Sequence, residues 1–190
     1  GRVAQRAQPS LAVEPIRELV DRQVALDKEA TKRFPSLFAH KMGRMNASPL
    51  AFLRGAAPIF YEILAGSEEL REGPGGEGWI VGDLHLENFG AYRADVFAEV
   101  PAGKKHAATF NLNDFDDAII APWRFDLLRL TTSLLLGSRE LGVTGIEALE
   151  LADALGDAWE LALFEQEPVP APPPPIAPLS TARSDKTRLW

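Results

Sequence analysis

The sequence predicts an α-rich α/β domain, and three observations lead to that fold class. Long segments toward both ends of the chain repeat apolar residues at helical spacing, with charged residues between them. Two short segments in the middle, 79–81 and 110–113, are apolar or alternate apolar with polar residues, which suits strands. Both segments run directly into loops rich in Asp and Asn. The predicted fold is therefore a helical domain with a small β element whose ends carry polar loops.

The composition is that of an ordinary globular protein with an acidic surface. Of its 190 residues, 46% are hydrophobic, which is ample for a core. A formal net charge of −7 and a pI near 5.0 argue against nucleic acids and anionic membranes as partners, because both bind basic surfaces. Cysteine is absent, which excludes disulfides, thiolate catalysis and cysteine-held zinc. No apolar run approaches the roughly 20 residues that span a bilayer, so we expect a cytoplasmic protein.

The first half of the chain predicts two helices. One runs from Leu11 to about Arg33 and ends at Phe34-Pro35, because the residue before a proline disfavours helical geometry. The next begins with Ser48 as its N-cap and Pro49 in its first turn, and continues to Ala65. Pro58 lies inside this second helix and is expected to kink it. The residues that follow, 66–78, are expected to form a turn-rich loop.

The residues from 79 onward predict two strands, 79–81 and 110–113, and two helices. Between the strands, the segment 91–106 is expected to be a hairpin or an irregular excursion. Ala121-Pro122 is expected to open a long helix that Gly142 ends, and another amphipathic helix is predicted from about Thr144 to Phe164.

The chain divides into four regions by composition. Seven of the eleven residues in 168–178 are proline, which predicts an extended polyproline linker, with a docking peptide for an aromatic groove as the alternative. The expected regions are an N-terminal helical region at 1–40, a core at 41–166, the proline-rich linker at 167–178, and a tail at 179–190.

The residues that carry chemistry are concentrated in two segments, Gly82–Asn88 and Asn113–Asp117. Asp83 follows a predicted strand and a glycine, and Asn88 comes five residues later. A carboxylate where a strand gives way to a loop is partly exposed and rigidly aimed, as a catalytic base must be. Such a set, followed by a second Asp, is what phosphoryl transfer needs. The alternatives are a turn Asp that caps backbone amides for Asp83 and a turn-holding role for Asn88.

The second segment predicts a divalent cation. Asp114, Asp116 and Asp117 lie within four residues, and three carboxylates so close repel one another unless a positive charge lies between them. Mg²⁺ suits this role, because it binds one or two carboxylates together with phosphate oxygens and water. We expect Asp114 and Asp116 as metal ligands. The alternatives are pairing with Arg124 or Arg129, or exposure to solvent.

Three further residues are candidates for the site. His85 is expected to brace the loop through hydrogen bonds or to take part in the chemistry beside Asp83. Asp126 lies among apolar residues at the start of a helix, where a charge must be paired. It is expected either to accept backbone N–H groups of the Gly82–Asn88 loop or to pair with an arginine. Arg54, on an otherwise apolar helix, is expected either to be paired or snorkelling, or to contact a phosphate or carboxylate group.

Four sequence blocks, taken together, resemble the DUF2252 family of uncharacterised bacterial proteins. The similarity runs from about Lys41 to Gly137, and the blocks come in the family's order: Ser48–Gly55, Gly82–Gly90, Leu112–Ala118 and Ala121–Leu127. These blocks are in turn similar to the aminoglycoside phosphotransferase and protein-kinase-like fold, in which G-D-x-H-x-x-N precedes I-D-F-x-D-A.

The more distant resemblance implies a kinase-like C-lobe-type helical domain, whose catalytic-loop core is the region 41–166. It places Asp83 at the catalytic Asp, Asn88 and Asp114 at the magnesium ligands, and Asp126 at the helix Asp that buttresses the catalytic loop. Mg²⁺ and ATP are the implied cofactors, and a small molecule of unknown identity is the implied acceptor.

Two parts of such a site are not visible in the sequence: a glycine-rich strand-turn-strand over the phosphates, and a lysine on the following strand. The chain resembles a truncated family member that keeps the base and metal ligands and lacks the nucleotide clamp. The predicted function is a phosphotransferase core. The alternatives are a non-catalytic binding or regulatory module, and a metal-dependent phosphoester hydrolase that uses Asp114, Asp116 and His85.

Overall fold

The computed structural model describes residues 15–71, 76–92 and 109–164 of the chain. The chain separates into two compact units. The first unit holds the described residues up to Gly78 together with Ala121–Phe125, and the second holds Trp79–Ile120 and the residues from Asp126 onward. The predicted proline-rich linker and the tail lie outside the described residues.

Helices dominate the first unit. They are α1 (Ile16–Ala30), α2 (Pro35–Met45), α3 (Pro49–Gly55), α4 (Ala57–Gly66) and α5 (Glu68–Arg71). The prediction from Leu11 to Arg33 located α1 within a few residues, although residues 11–14 lie outside the described part. α2 was not predicted from the sequence, in which Phe34-Pro35 indicated only the end of a helix. Pro35 instead opens α2, where the N–H that proline lacks would have had no helical partner.

The predicted helix 48–65 is two helices, so the expectation of a single kinked helix was wrong. Ser48 does cap α3, its Oγ accepting the Ala51 N–H at 3.1 Å. The helix then stops, and Ala56 has a φ of −113° and a ψ of 30°. Pro58 lies in the first turn of α4, because it has no N–H with which to continue the hydrogen bonding of α3.

A buried polar cluster joins the helices of the first unit. The carboxylate of Asp27, which is buried, accepts a hydrogen bond from the Gln23 amide at 2.8 Å and forms an ion pair with Lys41. The Gln23 amide also donates to the carbonyl of Gly55 at 3.2 Å. These contacts connect α1 with α2 and α3, and they give the buried charge of Asp27 the partners it requires.

The strands form two small sheets. β1 (Glu77–Ile80) pairs with β4 (Ile119–Pro122), and β2 (Phe89–Tyr92) pairs antiparallel with β3 (Thr109–Leu112). The predicted strands 79–81 and 110–113 are thus found in β1 and β3, each displaced by one or two residues. Most of the predicted excursion 91–106 lies outside the described residues, and its first two residues belong to β2.

Two long helices complete the described fold: α6 (Arg124–Glu140) and α7 (Gly145–Phe164). The prediction that Ala121-Pro122 opens α6 was wrong, because both residues lie in β4. The core of the second unit centres on the buried side chains of Val81, Leu84 and Leu130. Four partly buried apolar residues pack around them: Leu86, Phe89, Leu112 and Leu155. Among residues 15–71, 76–92 and 109–164, no helix is both long and apolar enough to cross a membrane.

The expected α-rich α/β class is confirmed at the level of helices around small antiparallel sheets. The segment that was expected to carry the chemistry follows β1 directly. It continues as the loop Val81–His85 and a 3-10 turn at Leu86–Asn88 before β2 begins.

Candidate active site

A polar face of α6 holds the loop that follows β1. Asp126, Arg129 and Ser133 are three and four residues apart, a spacing that brings side chains to the same side of a helix. All three are buried, and Arg129 and Ser133 are wholly inaccessible to solvent. Each one forms a hydrogen bond with a residue between Val81 and Leu86. The loop is therefore attached at three points to a rigid element.

Asp126 holds the beginning of the loop through the backbone. One of its carboxylate oxygens accepts the N–H of Val81 at 2.7 Å, and the other accepts the N–H of Gly82 at 3.3 Å. Hydrogen bonds to a charged acceptor contribute about 1.5–3 kcal/mol each, more than neutral ones do. Of the two roles considered for Asp126, the structure displays the bonds to backbone N–H groups.

Arg129 holds the side chain of Asp83. Its Nε donates to Oδ1 of Asp83 at 3.0 Å, and its Nη2 donates to the same oxygen. The arginine side chain is 0% exposed and the aspartate side chain 23% exposed, so the pair lies at the edge of the interior. Ser133 adds the third attachment, its Oγ accepting the N–H of Leu86 at 3.2 Å.

The environment of Asp83 makes it a stronger base than an ordinary aspartate. Burial of the carboxyl is the largest influence and raises its pKa above the usual 3.8. The positive charge and hydrogen bonds of Arg129 act in the opposite direction, as does His85, while the negative charge of Asp117 adds to the rise. The net effect is a raised pKa, which suits a group that accepts a proton near neutral pH.

His85 and Asn88 fix the turn that follows Asp83. The N–H of His85 donates to Oδ1 of Asn88 at 2.6 Å, and the N–H of Glu87 donates to Nδ1 of His85 at 3.2 Å. Both side chains are buried. Because Nδ1 accepts a hydrogen bond, the proton of the neutral ring is on Nε2, which lies 3.8 Å from Oδ2 of Asp83. His85 thus contacts the backbone with one nitrogen and turns the other toward Asp83.

The backbone brings the two acidic segments together. The N–H of Asn113 donates to the carbonyl of Asn88 at 2.8 Å. Gly82 lies so close to Asp117 that a Cβ on Gly82 would be 2.0 Å from the Asp117 carbonyl oxygen. The φ of Gly82 is +88°, a conformation that other residues rarely adopt. Glycine is therefore required before Asp83 for two independent reasons.

Asp114 has an unusual backbone within the second segment. Its φ is 64°, and among the described residues it is the one non-glycine residue with a positive φ. Such a conformation costs roughly 1–2 kcal/mol and is found more often at functional sites than elsewhere. Asp114, Asp116 and Asp117 are all exposed.

Two arginines were considered as partners of this acidic segment. The structure shows Arg129 paired with Asp83, and Nε of Arg124 donating to the Leu70 carbonyl at 3.0 Å within the first unit. Arg54 is half-buried in the last turn of α3, also in the first unit. Its contact with a phosphate stays a prediction.

The described acidic side chains provide few ligands for a cation that has no other ligand. In the described part of the chain, no group of three or more His, Asp or Glu residues is placed to hold a metal ion. The exposed carboxylates of Asp114 and Asp116 suit Mg²⁺ that brings phosphate oxygens and water as its other ligands. Asn88 is buried, and its Oδ1 already accepts the His85 N–H, so its role as a metal ligand stays a prediction.

Sequence reasoning missed Arg129 as the partner of Asp83, and it missed Ser133 altogether. The available signal was the pattern D-x-x-R-x-x-x-S from Asp126 to Ser133, which puts three polar residues on one side of α6 among many leucines. Buried polar residues at such spacing need partners on a neighbouring element. The partner residue itself is 46 positions away and cannot be identified from the helix alone.

Comparison with known proteins gives one match. The family model DUF2252, described as "uncharacterized protein conserved in bacteria", matches residues 33–169. The matched part includes both acidic segments and the polar face of α6. No curated protein and no solved structure matches the chain. Because the family model covers well over half of the sequence, this chain belongs to the DUF2252 family.

Proposed function

We propose that this chain contains the base and the metal ligands of a Mg²⁺-dependent, kinase-like phosphotransferase, with ATP as the donor and a small-molecule hydroxyl as the acceptor. The observation that carries the proposal is the placement of Asp83. Its carboxylate is fixed by Arg129, keeps 23% exposure and belongs to a loop that contacts the Asn113–Asp117 segment.

In this proposal Asp83 orients the acceptor hydroxyl and takes its proton. A catalytic base must lie within hydrogen-bond reach of its substrate and must not change its orientation during the reaction. Asp83 meets the second condition, since α6 fixes both the backbone before it and its own Oδ1. Its raised pKa increases its affinity for the proton. Nε2 of His85 lies 3.8 Å from Oδ2, beyond hydrogen-bond distance, and acts on the carboxylate through its charge.

The metal ligands in the proposal are Asp114 and Asp116, with Asn88 as the third. Mg²⁺ bound there with the phosphates would neutralise the charge that develops as the phosphoryl group is transferred. Asp114 lies between β3 and β4 and has a left-handed backbone conformation, with a φ of 64°. Asp114 comes two residues before Asp116 in this loop, and Asp117 of the same loop lies close to Gly82.

The nucleotide clamp has no assigned residues in this proposal. The glycines at 73–76 are interrupted by a proline and lack a flanking strand pattern in the sequence. We therefore expect slow turnover of Mg·ATP, and its binding is to be measured with the ligand far above its Kd.

A non-catalytic binding module is the second candidate, and one observation favours it. Both His85 and Asn88 use side-chain atoms to cap the turn Leu86–Asn88, so their presence is explained by folding alone. In that case the acidic turn would bind no nucleotide.

A thermal-shift experiment with Mg²⁺ and ATP separates these functions. A ligand at a hundred times its Kd stabilises a protein by about 2.7 kcal/mol, and at this size each kcal/mol raises Tm by about 2–4 °C. We expect Mg·ATP to raise Tm by several degrees in the wild type but not in Asp114→Asn, since asparagine tolerates a positive φ and lacks the charge.

The matched control is Asp153→Asn, which removes an exposed charge from α7 and should leave the response unchanged. No response to Mg²⁺ or ATP in the wild type would support the binding module. Stabilisation by the metal alone, together with cleavage of a phosphoester, would support a hydrolase.

A further inference from the structure

Of the charged side chains that the structure describes in the second unit, Arg129 is the most deeply buried. The residue is 0% exposed and lies on α6 next to the core residue Leu130. Removing a guanidinium group from water costs several kcal/mol unless a partner compensates for it. Asp83 supplies that compensation, so the two side chains are bound to each other more firmly than an exposed pair would be.

The geometry of the pair is asymmetric. An arginine commonly binds a carboxylate with two parallel hydrogen bonds, one to each oxygen. Here Nε and Nη2 of Arg129 both donate to Oδ1 of Asp83. The other oxygen, Oδ2, lies 3.8 Å from Nε2 of His85. The Asp83 side chain is 23% exposed, whereas those of Arg129 and His85 are 0% and 6% exposed.

We infer that Arg129 is the positioning residue of the site: it occupies Oδ1 of Asp83 and leaves Oδ2 as the oxygen that accepts the proton of the acceptor hydroxyl. This inference rests on the proposed function of Asp83 as the base. The O–H bond of the acceptor breaks and its proton bonds to Oδ2, while an oxygen lone pair of the acceptor forms a bond to the γ-phosphorus of ATP. The bond between that phosphorus and the bridging oxygen breaks, and ADP leaves with the electron pair. Arg129 touches neither substrate nor phosphate in this step.

Arg129 also controls the protonation of Asp83. Within residues 15–71, 76–92 and 109–164, the charged groups that act on this carboxyl are Arg129 from α6, His85 from its own loop and Asp117 from the neighbouring turn. Of these, Arg129 gives the largest stabilisation of the ionised form, followed by His85, whereas Asp117 opposes it. Without Arg129, burial and Asp117 would dominate, and Asp83 would keep its proton to a higher pH.

The test is an NMR titration of the Asp83 side-chain carboxyl in the whole 190-residue chain, with no ligand added. The variants are Arg129→Met, which removes the charge, and Arg129→Lys, which keeps the charge but not the paired N–H groups. The control is Ser133→Ala, which removes a bond from the same face of α6 to Leu86 without touching Asp83. We expect the titration midpoint to rise by at least one pH unit in Arg129→Met, by less in Arg129→Lys, and not at all in Ser133→Ala.

An unchanged midpoint in the arginine variants would overturn the inference, as would an equal change in Ser133→Ala. If Arg129→Met does not fold, Arg129→Lys alone decides. The experiment needs no nucleotide, so it can be read even if Mg·ATP fails to bind and the proposed function is lost. Where turnover is measurable, the acid limb of the pH–rate profile should move with the titration midpoint, and Arg129→Lys should lower kcat more than it changes KM for Mg·ATP.

Discussion

Replacing Gly82 by alanine should lower the stability of the protein, mainly by disrupting the contact between the segments Gly82–Asn88 and Asn113–Asp117. The new methyl group would lie 2.0 Å from the carbonyl oxygen of Asp117, which is backbone and cannot rotate away. The φ of +88° adds a second cost, since alanine disfavours this region by roughly 1–2 kcal/mol. Displacing a packed turn costs about 1–3 kcal/mol more. We therefore expect Gly82→Ala to lower the free energy of unfolding by about 2–5 kcal/mol.

Gly142 provides a matched control, because its φ is also positive, at +77°, and a Cβ added there would meet nothing within 4 Å. Gly142→Ala should therefore pay only the conformational cost of about 1–2 kcal/mol. Urea denaturation followed by circular dichroism measures both variants under the same conditions. Equal losses of stability in the two variants would refute the argument that Gly82 is required by its contact with Asp117.

Three further predictions concern other parts of the same unit. Asp126→Ala leaves the buried N–H groups of Val81 and Gly82 without an acceptor, and urea denaturation should show a loss of about 2–5 kcal/mol. Folding raises the pKa of Asp83, so the native state binds the carboxyl proton more tightly than the unfolded state does. The free energy of unfolding should therefore fall as pH rises from 3.8 through the pKa of the folded state. Unfolding measured across that window should show wild type losing stability relative to Asp83→Asn as pH rises. Gly156→Ala, inside α7 with open space around it, should raise stability by about 0.5–1 kcal/mol in the same assay, and a loss would show that α7 is packed there.

The sequence was informative where local chemistry decides the structure. Ser48 predicted the start of α3, and the amphipathic pattern predicted a helix from about Thr144 to Phe164, where α7 is found. There the hydroxyl of Thr144 and then its backbone N–H donate to the Glu147 carboxylate, at 2.7 and 3.0 Å, and these bonds lower the pKa of Glu147. The N–H of Glu147 in turn donates to the Thr144 hydroxyl at 3.3 Å. Helical periodicity located α1 and α6, since one apolar face per helix is visible in the residues themselves.

Prolines were the main source of error in the fold. Pro35 and Pro58 each open a helix, and Pro122 lies in β4, although it was expected to begin α6. A proline has the same local restriction in all these settings, namely a fixed φ and no N–H. A proline can end a helix, begin one or lie in a strand, depending on whether a nearby acceptor would otherwise have bonded to an N–H at that position. That depends on tertiary structure and cannot be read from neighbouring residues.

The candidate site shows the same limit. The residue types and unusual spacing of Asp83, Asn88 and Asp114 predicted a site for phosphoryl transfer. The pairing of Asp83 with Arg129 depends on how α6 packs beneath the loop, and so does the choice of Oδ1 as the bonded oxygen. The close approach of Gly82 to Asp117 likewise depends on the turn between β3 and β4.

The central claim is that one divalent ion, bound with a nucleotide, is shared by the loop that contains Asp83 and the turn that contains Asp114. Paramagnetic Mn²⁺ added with ATP tests this most directly, because it broadens the NMR signals of nearby amides. The account predicts broadening at both Gly82–Asn88 and Asn113–Asp117, which disappears in Asp114→Asn. Broadening confined to other acidic residues, such as those of α7, or unchanged broadening in Asp114→Asn, would contradict it.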